Sequence, residues 1–301
     1  MRLQQLQLIV ALAEAGSLRA AASRMNVTQP ALTKALRLLE EEFAAQLVHR
    51  TPKGVRLTPA GELVAARAAT VAHEIERARE EVKWQQREQG AQVAVGVSPA
   101  AAILVLPGVL ARLRAHWPQL LVRVVDAVYP RALTMVRSGE IDLAVGPLPP
   151  EGAGRDLRVA PLFDAQQLLV VRRGHPLAGA RRLAELQQAA WMLTGPHGGP
   201  GDPRRLGFEL LGLAVPWVML ECESFSTLLA VMPSVDVVGI MPEGFYHSYA
   251  ASHGIVSLPI EDALPRVTLH AVWRADVPLT APAAHLLDAM EAESRSVRAR
   301  G

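Results

Sequence analysis

Two short breaks divide the first 43 residues into three helix-length segments, and these breaks constrain the fold more than any other feature. Residues 3–15 carry apolar side chains at helical spacing and end at Gly16. Ser17 suits the N-cap of a second helix, Asn26 suits a left-handed turn, and Thr28 suits the N-cap of a third helix. Two short helices joined by a tight turn form a helix-turn-helix, which is the expected start of this chain.

The third helix has two chemically different faces, and Pro30 lies in its first turn, where the missing N–H costs nothing. Its apolar positions predict a buried stripe of Leu32, Ala35, Leu36, Leu39 and Phe43. The polar positions near its start lie opposite: Gln29, Thr33, Lys34 and Arg37. Such side chains at the start of a recognition helix read bases in the major groove. An ordinary solvated helix face is the alternative for each of these residues.

A basic hairpin is predicted after the third helix, over residues 50–56. Gly54 takes the turn, and three cations surround it, Arg50, Lys53 and Arg56. Beside a helix-turn-helix, such a hairpin is typical of a wing that contacts DNA phosphates or enters the minor groove. The charge balance agrees, because residues 1–60 hold eight Lys/Arg and four Glu, whereas the whole chain has a net charge of only +2.

A long helix is predicted to start at Thr58, its N-cap, with Pro59 in the first position. Its apolar positions alternate spacings of four and three along a seam of Val64, Ala68, Val71, Ile75, Ala78 and Val82, extended by Gln85. A period of about 3.5 residues is that of a coiled coil. We therefore expect this helix to pair with a second copy of the chain, since a helix packed on its own protein usually shows a broader apolar stripe.

The remaining sequence alternates strand-like and helix-like segments, which predicts an α/β region with a largely parallel sheet. The first strands are expected over 93–97, 121–125 and 141–145, with helices over 101–115 and 132–138. Later strands are expected over 157–163, 167–172, 218–222, 235–241, 256–258 and 268–273.

Three loops in this region are candidates for one ligand site, because open α/β folds bind ligands where strands end and helices begin. They are Ser98-Pro99, the Gly- and Pro-rich residues 194–201, and residues 224–227. Free N–H groups and hydroxyls at helix starts favour a small carboxylate or sulfonate. His197 adds positive charge when protonated, and Tyr129-Pro130 could form an aromatic wall. The alternative is that each Ser or Thr only caps its helix.

Several function classes find no support in the sequence. The single Cys222 excludes a disulfide framework and a cysteine zinc site. Residues 93–111 carry no charge, but Ser98-Pro99 and Pro107-Gly108 interrupt them, so a strand, a turn and a helix are expected instead of a membrane span. The apolar start of the chain is broken by Gln7, which argues against a signal peptide. The usual nucleophile, nucleotide and zinc motifs are absent, so we predict neither catalytic nor metal-ligating residues and no cofactor.

The motifs of the chain resemble those of LysR-type transcriptional regulators. In the first sixty residues the resemblance lies in Ser17-Leu-Arg-Ala-Ala-Ala-Ser-Arg-Met25, Val27-Thr-Gln-Pro-Ala-Leu-Thr33, Leu39-Glu40 and Arg56-Leu-Thr-Pro-Ala-Gly61. Later it lies in Leu106-Pro-Gly-Val-Leu-Ala-Arg-Leu113, Ser138-Gly-Glu-Ile-Asp-Leu-Ala-Val-Gly146 and Arg173-Gly-His-Pro-Leu177.

Two positions depart from the family pattern. Thr33 replaces the more usual Ser, which could alter base preference, and Val48 replaces Phe, which predicts a less tightly packed wing.

The resemblance implies an α/β protein in three parts. A winged helix-turn-helix would cover residues 1–58, a dimerising linker helix 59–90, and a two-lobed effector domain like a type II periplasmic binding protein 91–301. Lobe one would comprise 91–163 and 267–301, and lobe two 164–266, with crossings near Phe163-Asp164 and Pro265-Arg266.

The resulting hypothesis is a cytoplasmic regulator, not an enzyme, whose operator binding responds to a small organic anion. An aromatic carboxylate or sulfonate in the cleft between the two α/β lobes is the candidate for this anion. The expected DNA-binding residues are Thr28, Gln29, Pro30, Thr33, Lys34, Arg37, Arg50, Lys53 and Arg56. The expected effector-binding residues are Ser98, Pro99, Ala100, Tyr129, Thr194, His197, Gly198, Ser224 and Phe225. Expected partners are double-stranded DNA, further copies of the chain as a dimer or tetramer, and RNA polymerase as a candidate. The alternative is a two-lobed binding protein or enzyme without a DNA-binding role.

Overall fold

The computed structural model describes residues 3–51, 54–86, 91–206, 208, 211–222 and 224–298. These residues form two compact units, the head, built on the first four helices and a hairpin, and the body, built on the later elements. Among the described residues, no helix is both long enough and apolar enough to cross a bilayer.

The head begins with the three predicted helices, α1 (Leu3–Ala15), α2 (Leu18–Arg24) and α3 (Gln29–Glu42). The expected caps are present, because the Ser17 hydroxyl accepts a hydrogen bond from Ala20 N and the Thr28 hydroxyl accepts one from Ala31 N. Asn26 has a φ of 54°, the left-handed conformation expected of the turn. The helix-turn-helix prediction is therefore confirmed.

The predicted hairpin consists of β1 (Val48–Thr51) and β2 (Gly54–Leu57), paired antiparallel. It is attached to the turn between α1 and α2, because Val55 N donates a hydrogen bond to Gly16 O at 2.8 Å. Gly54 has a φ of 134°, and a Cβ there would collide with the same Gly16 oxygen, so this position requires glycine.

The head encloses a small apolar core of its own. Leu32, Leu36 and Leu39 of α3 are fully buried in it, as the predicted stripe requires. The prediction was wrong for Phe43, which is 41% exposed because α3 ends before it and the chain turns there. The expected loose packing at Val48 was also wrong, since its side chain is only 4% exposed and belongs to this core.

The long helix α4 (Pro59–Gln85) starts at the predicted N-cap, where the Thr58 hydroxyl accepts a hydrogen bond from Gly61 N. The first part of its predicted intermolecular seam is wrong, because Ala68 is buried and Val64 half-buried in the head core of the same chain. Farther along, Val71 and Val82 are 43% and 52% exposed. The seam is therefore open to solvent only beyond the turns that pack on α1.

The body alternates strands and helices. Its strands are β3 (Gln92–Val97), β4 (Leu121–Asp126), β5 (Leu143–Pro147), β6 (Leu157–Ala165), β7 (Gln167–Arg172), β8 (Trp191–Thr194), β9 (Val218–Cys222), β10 (Gly239–Pro242), β11 (Ile255–Ser257) and β12 (Val267–Arg274). Its helices are α5 (Pro99–Leu104), α6 (Leu106–His116), α7 (Arg131–Ser138), α8 (Phe225–Val231), α9 (Glu243–Ser248) and α10 (Ala281–Arg298). The single helix expected over 101–115 is divided at Val105.

A five-stranded sheet has the order β4-β3-β5-β12-β6. Only the β3–β4 and β3–β5 pairs are parallel, whereas β12 is antiparallel to both β5 and β6. The predicted largely parallel sheet was therefore wrong. The alternating pattern identifies strands and helices but cannot reveal that β12, far along the chain, inserts between β5 and β6 in the opposite direction.

The other strands form a three-stranded antiparallel sheet, β10-β7-β11, and a parallel pair, β8-β9. The chain passes from the five-stranded sheet to these strands at Gln166, between β6 and β7, and returns at the start of β12. Phe163-Asp164, where we expected the first crossing, still pairs with β12. The second expected crossing, Pro265-Arg266, lies directly before β12.

Candidate DNA-binding surface and ligand cavity

The polar face of α3 is available at the surface of the head. Gln29, Pro30, Lys34 and Arg37 are exposed and Thr33 is half-buried. Together these residues line one shallow depression. Thr28, the cap of α3, is exposed directly before it. The structure thus brings the predicted base-reading residues onto one face, opposite the leucines that hold the helix in the core.

Arg37 forms an ion pair within its own helix. Its Nε donates a hydrogen bond to Glu41 Oε1 at 3.0 Å, in an ion pair whose side chains are 79% and 56% exposed. Exposed pairs of this kind contribute only about 0–1 kcal/mol, so a phosphate could take over the guanidinium. Glu41 nevertheless places a negative charge beside the predicted DNA contact, which sequence reasoning had not considered.

Two of the three predicted wing cations lie on the hairpin. Arg56 is exposed on β2, and Arg50 belongs to β1. Lys53 lies outside the described residues. Because Val55 is bonded to the turn before α2, the position of the hairpin is fixed within the head.

A cavity of about 400 Å³ in the body is lined by all three loops predicted to converge. It is bordered by Ser98, Pro99, Ala100, Tyr129, Thr194, Ser224 and Phe225 among the predicted residues. Six prolines contribute to its wall: Pro99, Pro130, Pro147, Pro196, Pro200 and Pro242. A largely apolar cavity of this size suits a small organic molecule.

The two predicted serine positions act as helix caps at the cavity. The Ser98 hydroxyl accepts a hydrogen bond from Ala101 N at 3.4 Å, and the Ser224 hydroxyl accepts one from Thr227 N at 3.5 Å. Ser224 Oγ also lies 2.7 Å from Ser226 Oγ. The capping role and the position at the cavity therefore coexist, and both hydroxyls keep bonding capacity beyond the cap.

Buried neutral polar groups complete the cavity wall. Thr194 is 5% exposed, and its hydroxyl has no hydrogen-bond partner among the described residues. Gln167, at the start of β7, is 4% exposed and was not predicted. The signal that could have identified Gln167 is a polar residue at the start of an otherwise apolar strand, directly after the chain crosses between sheets.

His197 and Gly198, two of the predicted effector-binding residues, do not border this cavity. His197 is exposed, and its Nε2 lies 3.1 Å from the Glu221 carboxylate while its Nδ1 lies 3.1 Å from Arg204. Gly198 N donates to the buried carboxylate of Asp202 at 2.7 Å. The loop thus turns its prolines and Gly201 to the cavity and bonds its central residues elsewhere, so His197 does not supply the expected positive charge.

Two of the described residues that line the cavity are charged, Asp126 and Arg131, and sequence reasoning missed both. They lie at the two ends of the loop from β4 to α7, the loop that also carries Tyr129. The pattern of a strand end followed by a helix start could have indicated them, as it indicated the other loops.

Comparison with known proteins gives matches over both units. The model described as bacterial regulatory helix-turn-helix protein, lysR family, matches residues 3–62, and the model described as LysR substrate binding domain matches residues 86–295. The HTH-type transcriptional regulator TdcA of Escherichia coli (strain K12) is 26% identical over 258 residues, covering 86% of this chain and 82% of TdcA. The DNA-binding transcriptional dual regulator OxyR of the same organism is 27% identical over 293 residues, covering 97% and 95%.

Solved structures agree at the level of the fold. CbnR, a LysR family transcriptional regulator, superposes with a TM-score of 0.74 at 20% identity, covering 98% of this chain and 99% of CbnR. Full-length CbnR complexed with its target DNA gives a TM-score of 0.72 at 20% identity, covering 97% and 100%. The predicted winged helix-turn-helix, linker helix and effector domain are thereby confirmed as the fold. The chain belongs to the LysR family and is a DNA-binding transcriptional regulator, not an enzyme.

Proposed function

We propose that this regulator binds a small organic anion, such as a carboxylate or sulfonate with an aromatic or other apolar body, in the cavity of the body. The observation that carries this proposal is the meeting of three distant loops, led by Ser98, Thr194 and Ser224, around one largely apolar space. Apolar walls favour the body of such a ligand, while hydroxyls and helix-start N–H groups favour its acidic group. Arg131, at the cavity lining, supplies the cation that His197 does not.

The ligand would change the affinity of the regulator for its operator, or the bending of the DNA. It can do so only if it binds one arrangement of the strands around the cavity more tightly than another. Pro99 and Phe225 come from elements on either side of the crossing at Gln166, so a bound molecule would contact both groups of strands. Tighter binding to one of these arrangements would couple ligand binding in the cavity to operator binding.

On the DNA side, we assign base reading to Gln29, Thr33 and Lys34, whose side chains share the open face of α3. Gln suits adenine, Thr suits a base edge or a thymine methyl, and Lys suits guanine or phosphate. Thr28 and Pro30 would position the start of the helix. Phosphate contacts fall to the flanking cations, Arg37, Arg50, Lys53 and Arg56.

We further propose a cytoplasmic homodimer formed through α4, with assembly to a tetramer and contact with RNA polymerase as later steps. The exposed apolar side chains along α4 support the dimer, namely Leu63, Val71 and Val82 at 62%, 43% and 52% exposure. A dimer with two-fold symmetry would present two α3 helices to half-sites about 34 Å, or a multiple of that distance, apart.

Val71→Glu should weaken the dimer in sedimentation equilibrium, while Glu76→Gln, at an exposed polar position of the same helix, should not.

A thermal-shift screen of small organic acids on the full chain tests the ligand proposal. A ligand at 100 times its Kd adds about 2.7 kcal/mol to the free energy of unfolding, which raises Tm. Ser98→Ala and Ser224→Ala should each weaken a true hit, measured against the Tm of the unliganded variant. Ser252→Ala, an exposed serine that does not border the cavity, is the matched control. A hit that is indifferent to both cavity variants would place the ligand elsewhere.

A further inference from the structure

We propose that the effector is an α-amino acid or a similar aminocarboxylate, with its ammonium group on Asp126 and its carboxylate on Arg131. This inference rests on the proposed ligand function of the same cavity and narrows the ligand from an organic acid to an acid that also carries a positive charge. The observation behind it is that the described lining holds one carboxylate and one guanidinium and otherwise only neutral side chains.

The two charges lie on one short connection. Asp126 is the last residue of β4 and pairs with Val97, directly before the Ser98 cap. Arg131 is the first residue of α7, and every residue between the two also borders the cavity. A single loop therefore presents opposite charges to one ligand, beside a capped helix start.

Neither charge is neutralised within the part of the chain that the structure describes. No ion pair joins Asp126 or Arg131 to each other or to another described side chain, and both residues are exposed. By contrast, other acids and bases of the body form ion pairs, as in the Arg172–Asp236 pair at 2.6 Å. Two opposite and available charges at one cavity are electrostatically complementary to a ligand that carries both.

A ligand with only a negative charge would match this lining less well. Its carboxylate could pair with Arg131, but Asp126 on the same loop would repel it. If the ligand also carries an ammonium group, that group is attracted to Asp126 and can donate a hydrogen bond to its carboxylate. Deeper in the wall, Gln167 and Thr194 are neutral, and the prolines are apolar, so an uncharged and mainly apolar side chain would occupy the remaining space.

The test uses matched probes on the full chain. L-leucine and L-phenylalanine are compared with 4-methylpentanoate and 3-phenylpropanoate, which lack the amino group, and with the amines 3-methylbutylamine and phenethylamine. We expect at least one of the two amino acids to bind about three- to tenfold more tightly than its deaminated partner, because both charges are exposed and partly screened. Binding is measured by calorimetry and by the shift in Tm.

Variants separate the two charges. Asp126→Asn should remove the advantage of the amino acid while leaving the deaminated acid bound as before or more tightly. Arg131→Gln should weaken both acids. Glu151→Gln, at an exposed acid of the body that does not border the cavity, should change neither.

The outcomes distinguish this inference from the proposed function beneath it. If the deaminated acids bind as tightly as the amino acids, or Asp126→Asn has no effect, the aminocarboxylate is excluded while the anion site stands. If only the amines bind, both proposals fail. If none of the probes binds, the aminocarboxylate inference fails, and the broader screen of organic acids alone decides the proposed function.

Discussion

The head and the body build their functional surfaces from different ranges of sequence. In the head, the proposed base-reading residues Gln29, Thr33 and Lys34 occupy a single helix, α3, and its cap and buried leucines are local to it. In the body, the cavity gathers residues from Ser98 to Leu269, contributed by strands of separate sheets. A surface made by one helix depends on that helix and its core, whereas a cavity made by distant loops depends on the packing of the whole region.

This difference determines what a substitution should disturb. In the head, a change in the core should disturb folding and DNA binding together, because the proposed recognition face is the other side of the same helix. In the body, a change in one loop should alter the proposed ligand response and leave the proposed DNA-reading face of α3 intact.

The largest effect on stability is expected for Leu39→Ala, which truncates a fully buried side chain of α3. Truncation of a buried leucine typically costs about 2–5 kcal/mol. Urea unfolding should show this loss together with a loss of operator binding. Leu38→Ala, next to it but 46% exposed, should change stability by no more than about 0.5 kcal/mol. Equal losses from the two variants would contradict the assignment of the core.

A smaller effect on stability, confined to the cavity wall, is expected for Gly201→Ala. A Cβ at this position would collide with the carbonyl oxygen of Thr194, which Gly201 faces across a β-bridge. Overpacking of this kind costs about 1–3 kcal/mol. Ligand-induced shifts in Tm should be lost while DNA affinity without ligand is kept. Gly179→Ala, where a Cβ would meet nothing within 4 Å, is the control and should keep both.

Two histidines of the body are expected to make the stability of the protein depend on pH. Burial lowers the pKa of His270 below its ordinary value of 6.5, although Asp164 and a backbone hydrogen bond at Thr268 act in the opposite direction. Burial also lowers the pKa of His175. The unfolded chain therefore takes up protons first as the pH falls, so these histidines reduce stability below pH 6.5. His270→Gln should flatten the fall in Tm between about pH 6.5 and 5, and an unchanged slope would contradict this account.

The smallest effect on DNA binding is expected for Glu41→Gln, which releases Arg37 from its ion pair and removes a negative charge from α3. Affinity for DNA should rise a fewfold on operator and random sequences alike, because the change concerns backbone electrostatics. Fluorescence anisotropy at two salt concentrations measures it. Weaker binding by the variant would mean that Glu41 positions Arg37 for DNA.

Sequence reasoning predicted most of the head because its signals are local. Ser17, Thr28 and Thr58 each cap the helix that follows, and a cap is decided by a few neighbouring residues. Phe43 was misplaced because the end of α3 depends on where the chain turns. Ala68 was misplaced because a seven-residue repeat does not specify which partner covers it.

In the body, the elements could be predicted but not their arrangement. Whether β12 inserts between β5 and β6, and in which direction, depends on contacts between residues far apart in the sequence. The convergence of the three loops followed from a general rule for α/β folds. The direction of single side chains did not, so His197 was placed at the cavity and Asp126 and Arg131 were overlooked.

The most direct test of the central claim compares Thr33→Ala with Arg56→Ala on DNA. The full chain is titrated onto a fragment from beside its own gene, onto single base-pair variants of that site, and onto random DNA. If α3 reads bases, Thr33→Ala should lose about 1–3 kcal/mol only at certain base pairs, whereas Arg56→Ala should weaken binding to every sequence and reduce the salt slope by about 1. Equal losses for both variants on specific and random DNA would contradict the assignment of α3 as the reading helix.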